Sequence, residues 1–176
     1  VCGESNNIGS QVFVNESTIG TLVGGSGRNG VYFAGRDCGF TGVTITDATS
    51  IEHTWRSQFF QRSVISNCDF GPAATGKYCM TLRAPSFAGT AIYPAGSYTE
   101  KVVVNDNIFT AAAAQGATCQ MAPQDNAADE RHRNIIFENN RLNDDATSTT
   151  NNVGLLCTVS LTSIRNNIID LHGATN

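Results

Sequence analysis

Residues 65–70 read ISNCDF, and the same phrase returns three times, as VNDNIF (104–109), FENNRL (137–142) and IRNNII (164–169). Each copy has an apolar residue, a spacer, two small polar residues, another spacer and an apolar residue. The second polar positions are separated by 39, 33 and 27 residues and are occupied by Cys68, Asn107, Asn140 and Asn167. Repeats at such intervals are typical of solenoids and propellers, so we predict one structural unit that recurs along the chain.

A short strand of alternating polarity precedes every copy of the phrase. These strands are HTWRS (53–57), MTLRA (80–84), CQMAP (119–123) and CTVSL (157–161). Aligning them predicts two inward columns, one of Trp55, Leu82, Met121 and Val159, the other of His53, Met80, Cys119 and Cys157. The segment that connects each phrase to the following strand is nearly constant in length. The segment that connects each strand to the following phrase varies much more, because it contains insertions. Residues 10–23 and 31–48 extend the pattern to about six coils.

This repeat resembles the right-handed parallel β-helix of the pectate-lyase-like superfamily, and the resemblance covers nearly the whole chain. It implies an all-β fold class, a right-handed parallel β-helix solenoid, as a single domain over 1–176 or a segment of a longer chain. Successive coils would stack at ~4.8 Å, and Asn would suit the tight corner because it tolerates left-handed backbone. Stacked Asn side chains could then hydrogen-bond along the ladder. A β-sandwich, the alternative, would join its strands by hairpins at shorter spacing.

Composition excludes several classes of function. The 176 residues carry a formal net charge of −4 and only 15% charged residues. General nucleic-acid binding needs a basic surface, so no nucleic-acid partner is predicted. No stretch approaches the ~18 consecutive apolar residues of a membrane helix, so no membrane span is predicted.

The cysteines and one sequon bear on the compartment. Six cysteines without a CxxC motif favour disulfides in an oxidising environment over zinc. The column alignment pairs Cys119 with Cys157, Cys68 and Cys79 form a second pair across a coil boundary, and Cys2–Cys38 is left by elimination. Reduced buried thiols are the alternative for the inward pair. Asn15-Glu16-Ser17 is a glycosylation sequon, and we expect an extracellular or periplasmic protein.

The residues beside the inward columns point outward and suggest a binding face. The repeated Thr-x-Arg of HTWRS and MTLRA predicts that Arg56 and Arg83 stack one coil apart, with Lys77 and Glu52 nearby. The insertions 84–101 and 123–133 would wall this face into a groove, and loops on a rigid scaffold often carry function. The outward residues that we expect to contact substrate are Glu52, Thr54, Thr81 and Gln120, with Tyr93 and Tyr98 as stacking residues from the first insertion.

In the superfamily that the chain resembles, this face binds and cleaves acidic polysaccharides. Elimination needs a cation to neutralise the uronic carboxylate and a base to remove the neighbouring proton; Arg56, Arg83 and Lys77 match these needs by type. Calcium-dependent members need several acidic side chains here, and only Glu52 is available, so no cofactor is predicted. The same shortage ranks a hydrolase last. The alternative from another class is a non-catalytic solenoid (an adhesin, spike segment or filament subunit), and open solenoid ends would favour self-association.

Overall fold

In the computed structural model, the described residues are 9–24, 29–49, 51–84, 99–111, 117–123, 132–144, 153–157 and 162–170. These ranges contain strands and turns and no helix. The strands, in chain order, are β1 (Gly9–Ser10), β2 (Phe13–Asn15), β3 (Thr18–Thr21), β4 (Val31–Arg36), β5 (Gly39–Thr41), β6 (Thr44–Asp47), β7 (Trp55–Ser66), β8 (Asp69–Phe70), β9 (Met80–Ala84), β10 (Thr99–Asn105), β11 (Ile108–Ala111), β12 (Ala117–Pro123), β13 (His132–Glu138), β14 (Arg141–Asp144), β15 (Val153–Cys157), β16 (Thr162–Arg165) and β17 (Ile168–Asp170).

Every pair of neighbouring strands is parallel and joins segments one repeat apart in sequence. One sheet has the order β17-β14-β11-β8-β6-β3. The other follows β15-β12-β9-β7-β10-β13-β16 because the long strand β7 belongs to two ladders. Its first half pairs with β4 and β9, and its second half pairs with β5 and β10. The molecule is therefore an all-β, β-helix-like solenoid, as the repeat predicted.

The two polar residues of the repeated phrase have different structural roles. The first residue of the pair takes the left-handed backbone, with φ of 52° to 58° at Asn67, Asp106, Asn139 and Asn166. Few residues other than Gly adopt this region, and Asn and Asp are the most tolerant of it. Gly42 and Glu16 hold the same corner in the two preceding coils. The phrase is thus a corner, repeated along the solenoid.

The second polar residue forms a buried amide ladder. The backbone N–H of Cys68 donates to Asn107 Oδ1 at 2.9 Å, that of Asn107 to Asn140 Oδ1 at 3.1 Å, and that of Asn140 to Asn167 Oδ1 at 2.9 Å. Each Asn Nδ2 also donates to a carbonyl of the preceding coil, at Ile65, Val104 and Phe137. This confirms that the four positions are equivalent and stacked.

Apolar columns fill the interior between the two sheets. The column Phe40, Ile65, Val104 and Phe137 lies opposite the column Ile45, Phe70, Phe109 and Leu142, and every member is buried. The rings of Phe70 and Phe109 stack at 5.1 Å. Such close packing leaves little room for added atoms.

The predicted alignment of the first strands is correct in one coil and wrong in two. Met80 pairs with Cys119 and Leu82 with Met121, as expected. Trp55, however, pairs with Met80 rather than Leu82, and Cys157 pairs with Met121 rather than Cys119. A two-residue slip keeps the same side chains inward, because the side-chain period of a strand is two. Polarity alone therefore cannot detect it.

Two of the three predicted disulfides are wrong, and the register slip explains the first of them. Cys119 and Cys157 lie two residues out of register on adjacent strands, which places their Cα atoms at ~8 Å, beyond the ~7 Å that a disulfide spans. Cys68 is followed on its ladder by Asn107 rather than by Cys79. No disulfide joins the described cysteines to one another, and burial raises the pKa of the Cys68 and Cys119 thiols. Cys2 lies outside the described residues, so the Cys2–Cys38 pair stays a prediction.

A glycine beside the core provides the first test of this packing. Gly71 follows β8 and donates its N–H to Ile45 O at 2.7 Å. A Cβ at this position would overlap the backbone carbonyl of Thr46. We expect Gly71→Ala to lower the free energy of unfolding by about 1–3 kcal/mol, measured by urea titration. Gly20→Ala is the control, because a Cβ there meets nothing within 4 Å; equal stability losses in the two variants would contradict the packing.

Candidate anion-binding face

One outward row runs across the first strands of successive coils. Tyr32 pairs with Arg56, Arg56 with Thr81, and Thr81 with Gln120. Arg83 lies on the same side of β9, two residues after Thr81. Together with Glu52, Lys77 and Tyr78 at the corner that precedes these strands, this row forms a surface that we call the cationic face.

Arg56 is held by an aromatic ring and a carboxylate. Its guanidinium lies 5.6 Å from the centroid of the Tyr32 ring and 3.9 Å from Glu52 Oε2. The side chain is only 16% exposed, and its Nε is buried without a hydrogen-bond partner in the described part of the chain. Tyr32 and Glu52 therefore hold the Arg56 guanidinium in place on this face.

Lys77 reaches the same carboxylate from the next coil. A turn between Ala74 and Lys77, with Gly76 at φ 71°, brings the chain back towards Glu52. Lys77 Nζ then lies 3.3 Å from Glu52 Oε1. Glu52 is thus shared between Arg56 and Lys77, and its single negative charge balances only one of these two positive charges.

Arg83 belongs to a hydrogen-bonded network across two coils. Its Nε donates to Thr81 Oγ1 at 3.1 Å, and Thr81 in turn donates to Gln120 Oε1 at 3.0 Å. Gln120 Nε2 donates to the hydroxyl oxygen of Tyr78 at 3.3 Å. The network fixes the direction of each polar group before any ligand arrives.

His53 lies behind the cationic face, and its pKa reflects the positive charges there. Its ring stacks on Tyr78 at 5.3 Å, and its Nδ1 accepts the Tyr78 N–H at 3.1 Å, which leaves the proton of the neutral ring on Nε2. Burial first, and then the positive charges of Arg83, Arg56 and Lys77, together lower the pKa of His53 to about 3. Three cations therefore converge on one locality in a chain of net charge −4.

The structure places most of the predicted site residues close together. It brings together Glu52, Arg56, Lys77, Thr81, Arg83 and Gln120, and it adds Tyr32 and Tyr78, which the sequence did not single out. Arg56 and Arg83 are not stacked in register as predicted: they lie on a diagonal, with Cα atoms separated by ~8 Å. The direct pairing is Arg56 with Thr81.

Three further predictions about side-chain placement were wrong. Thr54 and Thr81 are both fully buried, so neither is exposed to a ligand. Thr54 donates its hydroxyl to Gly71 O at 2.9 Å and lies inside the fold, whereas Thr81 lies beneath the polar groups of the cationic face and accepts from Arg83 Nε. His132, which falls in the insertion predicted over 123–133, is instead a buried residue of β13 whose Nε2 lies 2.7 Å from Leu82 O. Tyr93 and Tyr98 lie outside the described residues and stay predictions.

Comparison of the chain with protein-family models, with curated proteins and with solved structures gives no match. No helix in the described ranges is long and apolar enough to cross a membrane. Within those ranges, no three His, Cys, Asp or Glu side chains meet as a metal site would require. The assignment of function therefore depends on the chemistry of the cationic face.

The buried histidines predict that stability falls in mild acid. The pKa values of His53 and His132 are lowered from 6.5 to about 3 and about 4, in both cases chiefly by burial. Below pH 6.5 the two histidines become protonated in the unfolded chain but stay neutral in the folded chain. Their contribution to the free energy of unfolding is therefore complete above pH 6.5 and declines as the pH falls towards 4. Each histidine contributes a slope of at most about 1.4 kcal/mol per pH unit.

Urea titrations at pH 7.0 and 4.5 would measure this loss. His53→Asn should reduce the slope, because an amide oxygen can replace Nδ1 as the acceptor without titrating. An unchanged slope in this variant would mean that His53 does not carry the pH dependence.

Proposed function

We propose that the chain is a secreted, right-handed parallel β-helix of about six coils, similar to the pectate-lyase-like superfamily, that binds an acidic polysaccharide on its cationic face. The observation that carries the proposal is the convergence of Arg56, Lys77 and Arg83 around His53, with Glu52 as the carboxylate between two of them. An anionic ligand would supply the missing negative charge. Tyr32 and Tyr78 add aromatic surface beside the charges, which suits a sugar ring.

Elimination is the leading activity at this face. Arg56 and Arg83 would each neutralise a carboxylate, which acidifies the adjacent proton of the sugar. Their diagonal spacing favours two acidic groups of one polymer over a single carboxylate bridged by both. The proton acceptor would be Lys77 or one of the two arginines, the basic side chains of this face. Gln120 and the Tyr78 hydroxyl would hold the sugar hydroxyls.

The extracellular or periplasmic location is also part of the proposal. Asn15 of the sequon is exposed at the end of β2, and the Ser17 hydroxyl donates to its carbonyl at 2.9 Å. Asn15 is therefore accessible to a modifying enzyme. The described cysteines give this location no support, because no disulfide joins them to one another.

A panel of uronic-acid polymers tests the function. Binding is followed by calorimetry, and elimination by the absorbance of the unsaturated product. We expect binding to one or more acidic polymers, weakened by salt, and none to neutral glucans of equal length. Equal affinity for neutral and acidic polymers, or no binding to either, would contradict the proposal. Binding without product formation would retain the ligand class and exclude the lyase.

A non-catalytic solenoid is the second candidate, and one observation favours it. Ile164 and Ile169 lie in core columns yet are 47% and 49% exposed. Exposed core positions suit a protein whose ends meet partners, as in a filament or spike.

A further inference from the structure

The last described coil exposes the ends of two core columns. Ile164 pairs with Phe137, and Ile169 pairs with Leu142. Phe137 and Leu142 are completely buried, whereas the two isoleucines are about half exposed. Ile168 is more exposed still, but it belongs to an outward row with Arg141. The difference between successive coils arises because, in the described part of the chain, β15, β16 and β17 are the ends of their ladders.

The first described coil presents the opposite ends of the same columns. Val14 pairs with Phe40, and Ile19 pairs with Ile45. Both are only partly buried, although they pack on the core cluster. In a parallel solenoid the two ends are complementary, because each coil offers the next one the same pattern of backbone donors and acceptors.

We propose that a second copy of this chain stacks its first coil on the last coil of its neighbour, head to tail. Val14 and Ile19 of the second copy would cover Ile164 and Ile169. This contact is heterologous and does not close on itself, so repeated stacking would produce a filament.

Backbone and charge complementarity support the second copy as the occupant. Within the chain, Asn139 N donates to Arg165 O, and Ile168 N donates to Asn140 O. Continuing this pattern, Asn166 N donates to Asn15 O of the second copy, and Thr18 N of the second copy donates to Asn167 O. The pattern needs no rearrangement of either coil.

Side chains at the same junction also match. Arg165, which pairs with Glu138 in its own chain, would lie beside the exposed Glu16 of the second copy. The ladder position that follows Asn167 would be Ser17 of the second copy, whose hydroxyl can accept a hydrogen bond. An apolar centre bordered by an ion pair and hydrogen bonds is the ordinary composition of a specific interface.

Sedimentation velocity over a concentration series, with electron microscopy, tests the proposal. The parent protein should form dimers, trimers and longer oligomers, and their average size should increase with protein concentration. Ile169→Lys blocks the last coil, and Thr18→Pro removes the donor from the first coil. Each should raise the protein concentration at which half of the chains are associated by at least about tenfold. Glu16→Arg, a surface change, provides a second block of the first coil by facing Arg165. Circular dichroism verifies folding.

Ile108→Lys is the matched control, because Ile108 is 42% exposed but lies in mid-solenoid between Asp69 and Arg141. It should associate like the parent. A mixture of the Ile169→Lys and Thr18→Pro proteins should form dimers and nothing longer, since one intact end of each kind remains. A parent protein that is monomeric at its highest soluble concentration would overturn the proposal. So would an equal loss of association in Ile108→Lys, or a mixture that forms no dimer.

Discussion

Replacing Asn140 by Ala should lower the free energy of unfolding by about 3–5 kcal/mol, since each buried polar group left unpaired costs about 1–3 kcal/mol. The Asn140 side chain accepts from Asn107 N at 3.1 Å and from Asn107 Nδ2 at 3.0 Å. Its own Nδ2 donates to Val104 O at 2.9 Å and to Asn167 Oδ1 at 3.1 Å. Alanine removes all four bonds at a position that is 1% exposed. Urea titration measures the loss.

Asn139→Gly is the control for the ladder prediction. Asn139 is the exposed neighbour with φ 55°, and Gly adopts that backbone readily. Its stability should remain within about 1 kcal/mol of the parent, because the greater freedom of the unfolded chain offsets the relief of strain. If Asn140→Ala cost no more than Asn139→Gly, the amide ladder would be incidental to stability.

Replacing Arg83 by Ala should weaken the binding of an acidic polysaccharide by about 2–4 kcal/mol, the cost of removing one partner of a charged contact. Arg56→Ala should have a comparable effect, because its guanidinium is held between Tyr32 and Glu52 on the same face. Calorimetry with the tightest polymer of the panel measures both. The core should be unaffected, since both side chains point away from it.

Arg141→Ala is the matched control for the cationic face. It removes the same charge from β14 in the other sheet, where Arg141 lies 3.6 Å from Asp170. Binding should decrease only slightly. If Arg56 serves only to neutralise Glu52, Arg56→Ala will lower stability and leave glycan binding unchanged. Arg83→Ala with the affinity of the parent would remove the reason to place the ligand on this face.

The asparagines explain why the architecture could be predicted from the sequence. A left-handed corner admits few residue types, so Asn67, Asp106, Asn139 and Asn166 mark it directly. The following position must satisfy buried backbone donors from one coil to the next, which selects Asn107, Asn140 and Asn167. These are local requirements of backbone geometry and hydrogen bonding, and the sequence by itself determined the parallel stacking that they impose.

The register of the first strands was decided only by the tertiary structure. A slip of two residues preserves the inward and outward faces, so the sequence could not distinguish Arg56 opposite Thr81 from Arg56 opposite Arg83. One such slip, between β12 and β15, separated Cys119 from Cys157, and another, between β7 and β9, put the two arginines on a diagonal. The tertiary structure also placed Tyr78 on His53 and Arg56 on Tyr32. Contacts between coils depend on how turns and bulges such as that between Phe33 and Ala34 shift the register, and packing of the whole solenoid fixes those shifts.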